Sequence, residues 1–283
     1  MATTEARTIR IGHSPDPDDA FMYYAIAKGR VDLSGYSVVQ VLEDIESLNR
    51  RALAGELEVT ALSIHAYAHL ADRYALMACG ASMGDGYGPI VVARKPWTRQ
   101  ALSGTTIAIP GTLTSAYLAL RLYLDADFPF VVAPFDQIME IVASGGADAG
   151  LLIHEGQLTY AGQGLTKVAD LGAWWAERSG GLPLPLGGNA VRRDLGDDGM
   201  RALTRIYRDS IEFALSHRAE ALDYAKGFGR GLDDELNDRF VGMYVNELTK
   251  DYGERGRRAI QRFLDEGADA GIVPPIGPIT FVS

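Results

Sequence analysis

Polar side chains concentrate at three points where the pattern of a β-strand gives way to that of a helix. Open α/β sheets bind ligands at such points, because helix N-termini gather beyond the carboxyl ends of the strands. The first is Gly12-His13-Ser14-Pro15-Asp16-Pro17-Asp18-Asp19-Ala20-Phe21. Asp16 is placed to cap the helix, Pro17 suits its first position, and Asp18 and Asp19 complement the positive end of its dipole. Carboxylates thus occupy this terminus and make it a poor seat for an anion. The second point is Leu62-Ser63-Ile64-His65-Ala66-Tyr67-Ala68, where Ser63 either caps a helix or turns its hydroxyl to a ligand. The third, Ile109-Pro110-Gly111-Thr112-Leu113-Thr114-Ser115-Ala116-Tyr117, ends a strand in a glycine turn and opens a helix with two hydroxyls and no acid. Its free amides, its dipole and the Thr114 and Ser115 hydroxyls would suit a carboxylate or a phosphate; a plainly capped helix would have the same sequence. The Gly-Lys-Ser/Thr ending of a P-loop is missing, so nucleotide hydrolysis is not indicated.

Among the histidines, His154 stands apart. It follows Gly150-Leu151-Leu152-Ile153, which reads as a buried strand, so its imidazole is expected at the carboxyl end of the sheet. A base is most useful there and imidazole titrates near neutral pH; a histidine hydrogen-bonded in the core is the competing reading. His65 and His69 share a helical face at a spacing that can hold metal, but no third ligand is near in sequence and a structural pair is the simpler reading. His217, in Leu215-Ser216-His217-Arg218, suits the negative end of a helix. The single cysteine, Cys79, can form no internal disulfide and fits a reducing compartment. No Gly-x-Ser-x-Gly elbow is present, which leaves nucleophilic hydrolysis little support. The adjacent Trp174 and Trp175 could face an aromatic ligand or divide between core and surface.

Positioning these groups falls to a chain of 283 residues, enough for one large domain or two moderate ones. With 47% hydrophobic and 23% charged residues it is globular in composition. A net charge of −10 argues against a nucleic-acid backbone binder, which needs clustered cations. No apolar run approaches the ~18 residues of a membrane span, so membrane insertion is excluded. The first ten residues lack the apolar stretch of a signal peptide, and a cytoplasmic protein is expected. Glycine is abundant, 32 residues, which points to many tight turns or close backbone approaches. Strand patterns at 8–12, 37–42, 59–61, 90–93, 106–109, 130–132 and 150–153 alternate with helical ones, the signature of βαβ units and a largely parallel sheet. Beyond about residue 188 the patterns at 199–216, 219–227, 233–247 and 254–268 are amphipathic helices with almost no strand between them. An α/β chain in two lobes follows: residues 1–94 with 189–283 in a larger discontinuous lobe, and 95–188 in a smaller inserted one.

Several motifs in order carry a family resemblance. They are Ser14-Pro15-x-Pro17-x-Asp19-x-Phe21, Leu42-Glu43-Asp44-x-Glu46-x-Leu48-Asn49-Arg50, Leu62-Ser63-x-x-Ala66-Tyr67-Ala68 and Gly88-Pro89-x-Val91-Val92-Ala93-Arg94. Pro110-Gly111-x-x-Thr114-x-Ala116-Tyr117, Ile153-His154-Glu155, Asp170-Leu171-Gly172-x-Trp174-Trp175 and Leu182-Pro183-Leu184-Pro185-Leu186-Gly187 complete the set. Over nearly its whole length the chain resembles the menaquinone-biosynthesis proteins of the futalosine route, in particular the branch that forms 1,4-dihydroxy-6-naphthoate. The resemblance implies a two-lobed, periplasmic-binding-protein-like (type II) fold with the ligand held between the lobes. It implies a lyase that cleaves cyclic dehypoxanthine futalosine into 1,4-dihydroxy-6-naphthoate and dihydroxyacetone, with no metal or organic cofactor and a small-molecule carboxylate as substrate. His154 would be the general base, and Ser63, Thr114, Ser115 and the amide of Ala116 would hold the substrate. A departure is local: where the family usually shows Ser-Pro-Cys-Pro-Asn-Asp-Thr-Phe, this chain has Asp16, Asp18 and Ala20. The added carboxylates strengthen the preference of a substrate carboxylate for Thr114, Ser115 and Ala116. A chorismate-dehydratase-like enzyme and a non-catalytic solute-binding protein are the alternatives; the Ile153-His154-Glu155 segment and the Trp pair are more like the naphthoate-forming branch.

Overall fold

The computed structural model describes residues 6–229 and 233–283. Among the described residues twelve strands appear in chain order: β1 (Arg7–His13), β2 (Tyr36–Leu42), β3 (Val59–Ser63), β4 (Tyr74–Met77), β5 (Ser82–Gly84), β6 (Ile90–Ala93), β7 (Ile107–Ile109), β8 (Phe130–Val132), β9 (Ala149–Leu152), β10 (Thr166–Asp170), β11 (Leu184–Arg192) and β12 (Phe281–Val282). They form two sheets, one ordered β12-β4-β11-β3-β1-β2 with β5 also on β11, the other β10-β6-β9-β7-β8. Each sheet anchors one lobe.

The expected lobe boundaries and the expected parallel sheet need correction. Ile90–Ala93, assigned from sequence to the first lobe, pairs with β9 and β10 in the second sheet. Leu184–Arg192, assigned in its first half to the inserted lobe, lies wholly in the first sheet. The chain therefore crosses between Gly84 and Ile90, and returns before Leu184. Antiparallel pairings are as numerous as parallel ones, and each of them involves β6 or β11.

The helices cover the sheets through apolar faces. Pro17–Ala27 is buried over nearly its whole length, with Phe21, Met22 and Tyr23 packed in one core with Leu203, Ile206, Tyr207 and Ile211 of the 21-residue helix Gly196–Ser216. The predicted C-terminal helices are present as Gly196–Ser216, Arg218–Lys226, Asp234–Tyr244 and Gly253–Asp269, and the chain then returns to add β12 beside β4. A second core joins Leu118 and Leu120 of the helix Ser115–Leu124 to Trp175, Ile260 and Phe263, so apolar packing bridges the two sheets. Among the described residues no helix is long and apolar enough to cross a membrane.

Candidate functional site

A cleft of about 700 Å³, counting the solvent at its mouth, lies between the lobes. That volume suits a small organic molecule. All three polar junctions open onto it: Asp16, Asp18 and Asp19 with Ser63 on one side, Thr114, Ser115 and Ala116 with His154 on the other. No lysine or arginine lines it among the described residues.

His154 sits just beyond β9 with a φ of 60°, a left-handed conformation that costs a non-glycine residue free energy. Its Nδ1 lies 3.1 Å from Oδ2 of Asp16, and the ring edge packs on Phe135 at 4.4 Å between centroids. Its Nε2 has no hydrogen-bond partner among the described residues. Asp16 occupies the N-cap position of Pro17–Ala27, as expected, yet its side chain makes no capping bond. The capping assignment is thus corrected: the carboxylate lies beside the imidazole of the opposite lobe.

The neighbouring acids differ from each other. Asp19 accepts the Ser14 amide at 2.9 Å and the Ser14 hydroxyl at 2.8 Å. Burial raises its carboxyl, while nearby His13 and the Ser14 bonds pull it down. Asp18 has the Ser82 hydroxyl at a long 3.4 Å. Burial, then the charges of Asp19 and Asp16, push its carboxyl well above the ordinary range. His13 is buried behind them and burial pushes it down; it uses Nδ1 toward the Ser14 carbonyl at 2.8 Å and Nε2 toward Gln40 at 2.7 Å.

The serine and threonine hydroxyls are engaged by the protein itself. Ser63 stands at a helix N-cap but does not cap; its hydroxyl accepts Nδ2 of Asn49 at 3.0 Å, and its amide donates to Oδ1 of Asn49 at 2.9 Å. Thr114 is a true cap, accepting the Tyr117 amide at 3.2 Å and donating to the Gly111 carbonyl at 2.9 Å. The Ser115 hydroxyl accepts the His65 amide at 3.1 Å and donates to the Leu186 carbonyl at 2.5 Å, which ties the lobes together. The first-turn amides of Ser115 and Ala116 have no intrahelical acceptor and are the donors left to an anion.

Other candidates lie elsewhere. Burial pushes His65 down to about 4, its Nδ1 meets the Thr114 carbonyl at 3.1 Å, and no group able to hold a metal occurs among the described residues. His217 stacks on Phe213 at a helix end. Trp175 is buried and donates to the Pro183 carbonyl at 3.1 Å, while Trp174 packs on Tyr123, so the pair divides between core and periphery rather than facing the cleft. Burial pushes the Cys79 thiol up to about 12, an unreactive setting. Sequence reading missed Glu46, which accepts the Leu113 amide across the lobes at 3.1 Å, and Gln157, which meets the Tyr244 hydroxyl at 3.0 Å. Only long-range pairing reveals either role, though Glu46 belongs to a motif that carried the resemblance.

Two sheets facing each other across a ligand-sized cleft define a two-lobed, periplasmic-binding-protein-like molecule. The fold is shared with the alkanesulfonate-binding protein of Xanthomonas axonopodis pv. citri solved with MOPS, at a TM-score of 0.71 and 14% identity over 96% of both chains. A Candida albicans protein described as having the generic periplasmic binding protein fold matches at a TM-score of 0.72 and 12% identity, over 95% of this chain and 92% of that one. The chain belongs to the menaquinone-biosynthesis family, whose model matches residues 9–269. It is 47% identical to a 1,4-dihydroxy-6-naphthoate synthase of Thermus thermophilus over 94% of this chain and 96% of that one, and 38% identical to one of Streptomyces coelicolor over 96% and 97%. A solved protein of Archaeoglobus fulgidus superposes with a TM-score of 0.90 at 46% identity, over 96% of this chain and all of that one.

Proposed function

We propose that this protein is a 1,4-dihydroxy-6-naphthoate synthase that cleaves cyclic dehypoxanthine futalosine, releasing dihydroxyacetone, without metal or organic cofactor. The observation that carries the reading is the convergence on one cleft of an imidazole with an unengaged ring nitrogen and of a helix N-terminus with no acid in its own first turn. His154 acts as the general base that removes a proton to start fragmentation. The Ser115 and Ala116 amides hold the substrate carboxylate, with Thr114 fixing that helix end and Ser63 presenting a hydroxyl across the cleft. The lobes meet at the cleft as two units, one running to Gly84 and resuming at Leu184, the other lying between.

The test is incubation of purified protein with cyclic dehypoxanthine futalosine and analysis of the products, for wild type and His154→Ala. Dihydroxynaphthoate from wild type alone supports the reading. Tight binding without turnover by wild type would replace it with a solute-binding role, and full turnover by His154→Ala would remove the base assignment.

A further inference from the structure

Asp16 gives up the task its position suggests. An aspartate at an N-cap normally accepts an amide of the first turn, a bond worth about 1 kcal/mol. Here the side chain forms no such bond and sits, almost completely buried, 3.1 Å from Nδ1 of His154. The backbone of His154 is held at a φ of 60°, which a histidine adopts only when its surroundings fix it. Asp16 on one side and the Phe135 ring on another are the contacts that fix the imidazole.

In a neutral imidazole one ring nitrogen donates and the other accepts, and the partner of the first decides which. At 3.1 Å the contact is within ion-pair distance although not aligned as a hydrogen bond, and a carboxylate offers Nδ1 only an acceptor, so the lone pair falls to Nε2, a buried nitrogen with no partner among the described residues. We propose that Asp16 is the positioning residue of His154, setting the Nδ1–H tautomer so that Nε2 takes the substrate proton. The inference rests on the base role given to His154 above. When Nε2 takes that proton, the ring becomes an imidazolium and the Asp16 carboxylate stands beside the new charge; the electron pair of the broken bond stays with the substrate. Burial strengthens this compensation, because little water screens the pair. The two residues stand on different lobes, so the pair exists only with the lobes together and the base is oriented by closure itself.

The experiment combines ¹⁵N NMR of histidine-labelled protein with steady-state kinetics, using wild type, the isosteric Asp16→Asn and, to assign the resonance, His154→Gln. Wild type is expected to show His154 with a protonated Nδ1 and an unprotonated Nε2. Asp16→Asn, which can offer either a donor or an acceptor, is expected to populate the Nε2–H form, to lower kcat at least roughly tenfold and to change KM less than threefold, since the substrate anchors are untouched. An Nε2–H tautomer in wild type overturns the proposal whether or not the variant folds. So does an Asp16→Asn protein with wild-type kcat. A wild type that turns over no substrate while showing the Nδ1–H tautomer defeats the lyase reading instead, and with it the catalytic purpose of the pair, but leaves the tautomer assignment standing.

Discussion

The Glu46 carboxylate of the first lobe accepts the Leu113 amide of the second at 3.1 Å, with Gly111 packed against the same side chain. Glu46 is buried and also pairs with Arg50 at 2.7 Å; burial raises its carboxyl while the Leu113 amide and Arg50 oppose the shift. A Cβ on Gly111 would fall 2.3 Å from Oε2 and 2.4 Å from Cδ of Glu46. Gly111→Ala must therefore displace Glu46 and break the bond between the lobes. The expected cost is about 1.5–3 kcal/mol, the range for a hydrogen bond to a charged group. A lower melting temperature and a KM raised several-fold should follow, and a variant matching wild type in both would show that the contact contributes nothing to closure.

Ser115→Ala removes a hydroxyl that satisfies two partners, the His65 amide and the Leu186 carbonyl. Leaving buried polar groups unpaired costs about 1–3 kcal/mol each. Because the amides of Ser115 and Ala116 survive the change, affinity should fall by roughly tenfold rather than vanish. The form of the pH profile should stay the same, since the proposed base, His154, is untouched. Calorimetric titration with a substrate analogue provides the check, and unchanged affinity would count against this helix end as the anchor.

Glu58 gives the first sheet a pH dependence of definite sign. It accepts three bonds from Arg10 at 2.8–3.0 Å and lies 3.2 Å from Arg192, linking the middle of β1 to the end of β11. Burial, the largest single effect, would raise its carboxyl; the Arg10 hydrogen bonds and the charges of Arg10 and Arg192 together outweigh it and hold the group at about 2, against an ordinary 4.5. The stabilisation is complete above the ordinary value and disappears as pH falls from about 4.5 to about 2. Glu58→Gln should lower the melting temperature at pH 7, and the gap to wild type should close across that acidic window. A gap of constant size would show that the charge is not responsible.

Much of this architecture could be read from local pattern. The run before His154 and the hydroxyls after Gly111 sit at strand-to-helix junctions, where the period of apolar residues changes, and such junctions open onto the cleft in the folded chain. The strand β11 escaped notice because Pro185, Gly187 and Gly188 look like turn residues, while its ladder depends on partners more than a hundred residues earlier in sequence. Side-chain partnerships failed for the same reason. Ser63 and Asp16 both occupy cap positions, and capping is the local explanation; Asn49 and His154, which claim them instead, are brought there only by tertiary structure.

The absence of lysine and arginine from the cleft lining among the described residues sets how the protein should respond to ionic strength. A carboxylate bound through backbone amides brings no mobile cation with it, and the molecule carries a net charge of −10 that repels the incoming anion at long range. Salt shortens that repulsion, with a Debye length of ~10 Å at 0.1 M. Substrate capture should therefore hold steady or improve as potassium chloride is added, the reverse of a site built on arginine, and a steep rise of KM with salt would reveal a cationic anchor outside the cleft.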